Sequence, residues 1–162
     1  HPVQTMEAGI VPGDHSPSFA TPVGRLGIAI CYDFDYAACT WQAVHNGAEL
    51  LAVPTYDAAG WSDLQHTQHA RIAQTRAAEA GRWVLRATSS GVSQVITSRG
   101  EIAALLPNHV SGTVRAQVYP LTQRTLYIRL CYLLPYACVA LSCLVLLLLL
   151  VNGIRKPRVG VD

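Results

Sequence analysis

Cys31 occupies a position from which a side chain can do chemistry. It follows the apolar run Arg25-Leu-Gly-Ile-Ala-Ile30, opens Cys31-Tyr32-Asp33, and precedes a stretch with helical spacing. A turn after a buried strand lifts the side chain out of the sheet, and neighbouring backbone N–H groups can face a developing oxyanion. A free thiol titrates at roughly 8.5, so little thiolate exists at neutral pH unless a cation assists. The acids within reach by sequence are Asp33 and Glu7. Either can move or orient a proton, but a carboxylate alone raises a thiol's pKa. The site therefore needs a cation, and the only lysine is Lys156. Buried cysteine is also common packing material, so position alone leaves Cys31 open between nucleophile and core. Cys39, eight residues on, reads as packing. His66 and His69 stand three apart on one expected helix face, but no third ligand has useful spacing, and no metal is assigned.

The elements that must hold these residues follow from periodicity. Residues 1–24 are rich in Pro, Gly, Ser and Thr and read as loop. The run 25–30 reads as a buried strand, and Asp35 to Asn46 as a helix with Gly47 as its C-cap. A second buried strand, Glu49 to Val53, is stopped by Pro54. A helix is expected from Asp63 to Ala80, closed by Gly81. Strands then follow at Trp83 to Thr88, Val92 to Ile96, Ile102 to Leu106 and Thr113 to Val118. Strand, helix, strand, helix, then hairpins describes an α/β layered domain with a mixed sheet.

Composition narrows the class. With 51% apolar and 14% charged side chains over 162 residues, the chain is not disordered. Of five cysteines, Cys131, Cys138 and Cys143 lie in or beside one apolar stretch, which excludes a disulfide scaffold. A net charge of +2 is too small for a nucleic-acid surface. Residues 1–125 carry eight Arg against nine Asp or Glu, a net of −1.

From Leu130 to Ile154 the chain runs 25 residues without a charge. A helix of that length spans roughly 37 Å, enough for an apolar layer of about 30 Å with tilt. Pro135 falls in the first third, where a kink is tolerable near the interface, and Tyr127, Tyr132 and Tyr136 fit an aromatic belt. Arg115, Arg124 and Arg129 on one side nearly balance Arg155, Lys156 and Arg158 on the other, so charge leaves the orientation open. The expected organisation is a domain over 1–125, a transmembrane helix over 126–154 and a basic tail over 155–162. The chain begins at His1 with no signal-type segment, and we expect it to be the later part of a longer polypeptide.

Several motifs together resemble the nitrilase, or carbon–nitrogen hydrolase, superfamily. Gly24-Arg-Leu-Gly-Ile-Ala-Ile-Cys31-Tyr-Asp33 is similar to its nucleophile segment, and Asn46-Gly-Ala-Glu-Leu-Leu-Ala-Val-Pro54 to its next strand. Gln68-His69-Ala-Arg71, Arg76-Ala-Ala-Glu79, Gly81-Arg82, Leu85-Arg-Ala-Thr88 and Gly91 resemble its next helix and strand, and Arg99-Gly100-Glu101 its late hairpin. One branch, the apolipoprotein N-acyltransferases, carries a final transmembrane helix, and His1-x-Val3 with Glu7 and Thr125-x-Tyr127-x-Arg129 resemble that branch.

The resemblance implies a nitrilase-like α-β-β-α sandwich, here partial, followed by one transmembrane helix. It implies a Glu-Lys-Cys triad, with Cys31 matching the nucleophile and Glu7 a supporting carboxylate. Tyr32 and Asp33 match the pair after the nucleophile, with Asp in place of the branch's usual Glu. The family's lysine and first glutamate fall upstream of His1, so residues 1–162 alone are expected to be inactive. No cofactor is implied. The reaction implied is acyl transfer from a phospholipid to the enzyme thiol and then to the amino terminus of an apolipoprotein. The setting implied is the bacterial inner membrane, with the domain on the extracytoplasmic side.

Two stretches depart from the branch. Val3-Gln-Thr-Met-Glu7 stands for Val-Pro-Phe-Gly-Glu, and Thr55-Tyr-Asp57-Ala-Ala59 for Ser-Asn-Asp-Ala-Trp. Both flank the family's acyl pocket. Trp61 and Asp57 are the candidate substrate-binding residues. Trp61 reads equally as an acyl contact or a core plug, and Asp57 more as a turn residue than an acid. The glutamate and arginines at 71, 76, 79 and 82 read as surface and interlayer salt bridges. A membrane-bound amidase and a degenerate non-enzymatic membrane module are the alternatives.

Overall fold

Alternation along the apolar runs builds the sheet. In the computed structural model, which describes residues 16–130 and 133–155, Leu51, Val53 and Thr55 are buried along strand β3 (Leu50–Thr55). Val84 and Arg86 are buried on β4 (Trp83–Thr88), whose intervening residues are more open. Six strands order as β1-β2-β3-β4-β5-β6, with β1 Ser18–Thr21, β2 Gly24–Ile28, β5 Ser93–Ile96 and β6 Ile102–Leu106. The central pairs β2–β3 and β3–β4 are parallel and the outer pairs antiparallel. Parallel neighbours require crossovers, supplied here by α1 (Ala37–His45) and α2 (Asp63–Ala80).

The ends of α2 are written in its sequence. Ser62 Oγ accepts the Gln65 N–H at 3.3 Å, and Gln65 Oε1 accepts the Ser62 N–H at 2.9 Å, a reciprocal cap. Gly81 closes the helix in the left-handed region at φ 62°, which glycine adopts without a Cβ clash. Between these ends Ala70, Ala73, Ala77 and Ala80 are buried, a small-residue stripe that lets the helix lie close. Of these, Ala73, Ala77 and Ala80 pack with Ala43 and Val44 of α1 and Leu51, Val53, Val84 and Ile96 of the sheet in one core. Each larger apolar side chain there contributes roughly 1.5–3 kcal/mol by leaving water.

The boundaries differ from expectation in four places. Ser18–Thr21 is a strand, not loop: it pairs with Gly24–Ile28 through a two-residue turn, held by backbone bonds that its polar composition does not advertise. The first helix begins at Ala37, because residues Cys31–Asp35 form a separate 3-10 turn. Strand β3 continues through Pro54, which pairs in register with Ala87. Ala52 accepts the Ala29 N–H at 3.1 Å on the β2 side. Pro54, two residues on, has its missing donor on the same side, beyond the last paired residue of β2, Ile28. Thr113 to Val118 is not a strand; Gly112 and Val114 instead line a cavity with Leu85, Gln94 and Val95 of β4 and β5.

After the sheet the chain is tied back. The Leu121 N–H donates to Glu49 O at 3.1 Å, and Arg82 donates to Ala48 O at 2.7 Å, Gly81 O at 3.0 Å and Gln123 O at 2.5 Å. Among the described residues the buried guanidinium of Arg82 thus ends on carbonyls rather than in the expected salt bridge, while Arg76 and Glu79 do pair. Thr125 Oγ1 donates to Glu79 O and accepts the Ile128 N–H at 3.1 Å, opening the short helix α3 (Leu126–Leu130). Ile128 is buried, and its carbonyl takes the Trp41 indole N–H at 3.0 Å.

The chain divides into two units at Ile128 and Arg129. The second holds α4 (Leu133–Arg155), of which Leu133–Val151 is long and apolar enough to cross a membrane, with a mean hydropathy of 2.7 and its side chains exposed. Pro135 falls in its first turn, where the lost N–H has no partner to lose, so the sequence does not oblige a kink there.

Candidate active site

Three parallel strands end at one edge of the sheet, and in open α/β sheets that edge is where ligands bind. Cys31 follows β2, Tyr56 and Asp57 follow β3, and Ser89 to Gly91 follow β4. Cys31 sits at φ 52°, in the left-handed region a non-glycine residue rarely enters. That backbone turns β2 directly into the 3-10 turn. Asp33 secures the turn: its N–H donates to Ile30 O at 3.0 Å and its carboxylate accepts the Ile30 N–H at 3.3 Å.

The thiol is half-buried and donates to Tyr56 O at 3.5 Å. Burial raises its pKa; backbone hydrogen bonding at Tyr56 and Tyr32 opposes this, and the carboxylates of Asp57 and Asp35 add to the rise. The balance is upward, so the group rests as a neutral thiol.

Below the elbow lies a charged network. Asp57 is fully buried: its Oδ1 accepts from His69 Nδ1 at 2.7 Å and its Oδ2 from Arg86 Nη2 at 3.0 Å. Arg86 also donates to Val92 O, and Ser89 Oγ to Asp57 O at 2.9 Å. Gly91 leaves room for this carboxylate; a Cβ there would stand 1.8 Å from Asp57 Oδ2. The second nitrogen of His69, Nε2, lies 3.3 Å from Asp35 Oδ1. An imidazole serving two carboxylates needs both N–H groups and is therefore a cation. Burial and Arg86 oppose its charge, but the hydrogen bonds to Asp35 and Asp57 outweigh them and raise His69 to about 9. Burial likewise works against the Asp57 carboxylate, yet His69 and Arg86 hold it below the usual range.

Aromatic rings cover the network. Tyr32 stacks on His69 with centroids 5.1 Å apart, and Trp61 tilts against Tyr32 at 6.2 Å and against His66 and His69 at 5.8 Å each. His66 is fully buried, and neither ring nitrogen has a hydrogen-bond partner among the described residues.

The structure thus brings Cys31, Tyr32, Asp33, Asp57 and Trp61 to one edge. Glu7 lies outside the described residues. Asp57, read from the sequence more as a turn residue than an acid, is a buried ion-pair partner, and Trp61 is half-buried over the histidines. Asp35 and Arg86 join the site without being candidate residues from the sequence. A signal existed for the second: alternation puts Arg86 on the face of Val84, and a buried guanidinium requires an acid. Nothing in the spacing of Asp35, Asp57 and His69 shows that they meet.

This fold and edge-mounted cysteine are those of a carbon–nitrogen hydrolase. The sequence pattern of that family matches residues 2–126, and the chain belongs to it. Among known proteins it is 32% identical over 128 residues to the apolipoprotein N-acyltransferase of Thermosynechococcus vestitus, covering 78% of this chain and 25% of that one. The enzyme of the same name from Shewanella oneidensis is 32% identical over 119 residues, covering 73% and 23%. The chain therefore spans about a quarter of the length of these relatives. Among solved structures, an amidase from Nesterenkonia sp. superposes with a TM-score of 0.57 at 24% identity, covering 74% of this chain and 45% of that one. A carbon–nitrogen hydrolase from Helicobacter pylori gives 0.53 at 22%, covering 60% and 41%. These two show the shared fold.

Proposed function

We propose that this chain carries the acyl-accepting thiol of an N-acyltransferase, which moves an acyl chain from a phospholipid to the amino terminus of an apolipoprotein. The observation that carries the reading is Cys31, held at a left-handed elbow where three parallel strands end, within the region matched to the family. The relatives named above and the apolar helix α4 support the lipid substrate and a membrane setting.

In the first half-reaction the Cys31 thiolate attacks the phospholipid ester carbonyl. A C–S bond forms, the C–O bond breaks, and the lysophospholipid oxygen leaves with the thiol's proton. In the second, the amino group of the acceptor attacks the thioester. A C–N bond forms, the C–S bond breaks, and a proton from the amine returns to the sulfur. Glu7 is the supporting carboxylate, Tyr32 and Asp33 hold the elbow, and Trp61 forms part of the acyl wall. The domain lies on the extracytoplasmic side of a bacterial inner membrane, with residues 155–162 as a cytoplasmic tail. Cys31 rests neutral, and residues 1–162 hold no lysine before Lys156. We therefore expect residues 1–162 in isolation to form no thioester.

The test uses the full-length protein in phospholipid vesicles carrying an alkyne-tagged acyl chain. Label should appear on Cys31, be released by hydroxylamine, and vanish in Cys31→Ala. Label retained in that variant overturns the reading. The departure at Thr55–Ala59 from the branch pattern favours one second reading, an amidase. Release of ammonia from short amides, without transfer to a peptide amine, would select it.

A further inference from the structure

We propose that His69 is a positioning residue for Cys31: bridging Asp35 and Asp57 beneath Tyr32, it fixes the elbow that carries the thiol and offsets part of the charge of the two carboxylates that act on it. The inference rests on the reading of Cys31 as the nucleophile.

The geometry connects His69 to both sides of the thiol. On one side Asp35 ends the 3-10 turn Cys31–Asp35, and its carboxylate lies 3.3 Å from His69 Nε2. On the other, Asp57 accepts from His69 Nδ1 at 2.7 Å and directly follows Tyr56, whose carbonyl takes the thiol at 3.5 Å. One ring thus spans the end of β3 and the turn after β2, and the sulfur lies between the parts it ties together. Tyr32, adjacent to Cys31, stacks on the same ring at 5.1 Å. His69 is itself held on α2, a capped helix whose alanine stripe is packed into the core.

The charges tell the same story. Among the described residues the charged groups facing His69 are Asp35 from the turn, Asp57 from the end of β3, and Arg86 from β4 with Nη2 3.1 Å from Nδ1. His66 lies one helical turn before it, with Nδ1 3.7 Å from Asp57 Oδ2. Asp57 has Arg86 as a second partner, whereas Asp35 meets His69 at the rim of the network with its side chain about one-fifth exposed. Both carboxylates raise the Cys31 thiol. The protonated ring offsets them, so a neutral side chain at 69 leaves two acids bearing on the sulfur.

The experiment measures alkylation of Cys31 by iodoacetamide against pH in the full-length protein, read by mass spectrometry of the Cys31 peptide. A neighbouring charge moves a titration by about 1–3 units. At neutral pH, where the ring is charged, His69→Gln should slow alkylation of Cys31 about tenfold, the rate equivalent of about one unit. Asp35→Asn alone should speed it, and the double variant should return towards the wild type. A purely structural role predicts no such opposite movement. If the wild-type profile shows reactive Cys31 but His69→Gln and Asp35→Asn leave the rate at neutral pH unmoved, the positioning role is wrong. If His69→Gln does not fold, Asp35→Asn decides alone: Asp57 still accepts from His69 Nδ1, and the removed carboxylate no longer bears on the thiol. If wild-type Cys31 alkylates no faster than it does in denaturant, the nucleophile reading fails first.

Discussion

A single methyl group at Gly91 tests whether the buried network is as tightly fitted as its distances indicate. In Gly91→Ala the new Cβ would stand 1.8 Å from Asp57 Oδ2, 2.6 Å from its Cγ and 2.9 Å from its Cβ. Relief to an ordinary contact needs well over an ångström of movement. Asp57 has no solvent to swing into, so its carboxylate must leave Arg86 at 3.0 Å or His69 at 2.7 Å. Breaking a buried charge pair costs about 3–5 kcal/mol, because the remaining charge keeps its desolvation penalty. At about 3–5 °C per kcal/mol for a domain of this size, the midpoint should fall on the order of 10–20 °C. Gly60→Ala is the control: among the described residues nothing lies within 4 Å of its Cβ, and a surface change of this kind stays within about 0.5 kcal/mol. Thermal and urea unfolding of the full-length protein, followed by near-ultraviolet dichroism, report both. In an Asp57→Ala background only the Cβ contact at 2.9 Å remains and no buried charge pair is left to break, so most of the Gly91→Ala penalty should disappear. A Gly91→Ala protein as stable as Gly60→Ala, or an undiminished penalty in the Asp57→Ala background, would refute the reasoning.

The pH response follows from the same network. His69 is raised to about 9 from an ordinary 6.5, so its contribution is complete below about 6.5 and is lost as pH climbs through 9. From that shift it is on the order of 3 kcal/mol. Asp57 is lowered, so its contribution is present above the usual carboxylate range and lost as pH falls below it. The two share one hydrogen bond and do not add. Stability should be greatest between these limits, and unfolding midpoints from pH 4 to 10 check the shape; a midpoint still rising beyond pH 9 contradicts it. Arg82→Met should cost about 2–4 kcal/mol, since the carbonyls of Ala48 and Gln123 lose a buried cationic donor. It should also expose the segment after Leu121 to protease, and unchanged cleavage there would count against the clasp.

Periodicity and punctuation made much of this protein readable from its residues. The helix Asp63–Ala80 emerged with both ends as expected, because its signals, Ser62 with Gln65 and the glycine at 81, are local hydrogen-bond and dihedral preferences. The strands at 83–88 and 102–106 emerged for the same reason. Cys31 was visible as a candidate because an apolar run ending in cysteine before a helix is itself a local pattern, and the apolar run after residue 130 is set by composition. Tertiary structure decided the rest. Whether Ser18–Thr21 pairs, whether Pro54 interrupts, and whether residues 113–118 form a strand depend on which partner lies alongside. Only folding brings Asp35, Asp57, His69 and Arg86 together, because their meeting depends on the sheet's register and the seat of α2, neither of which leaves a trace in spacing along the chain. A buried charge is stable only beside its opposite, and that pairing is a property of the assembled edge rather than of any segment.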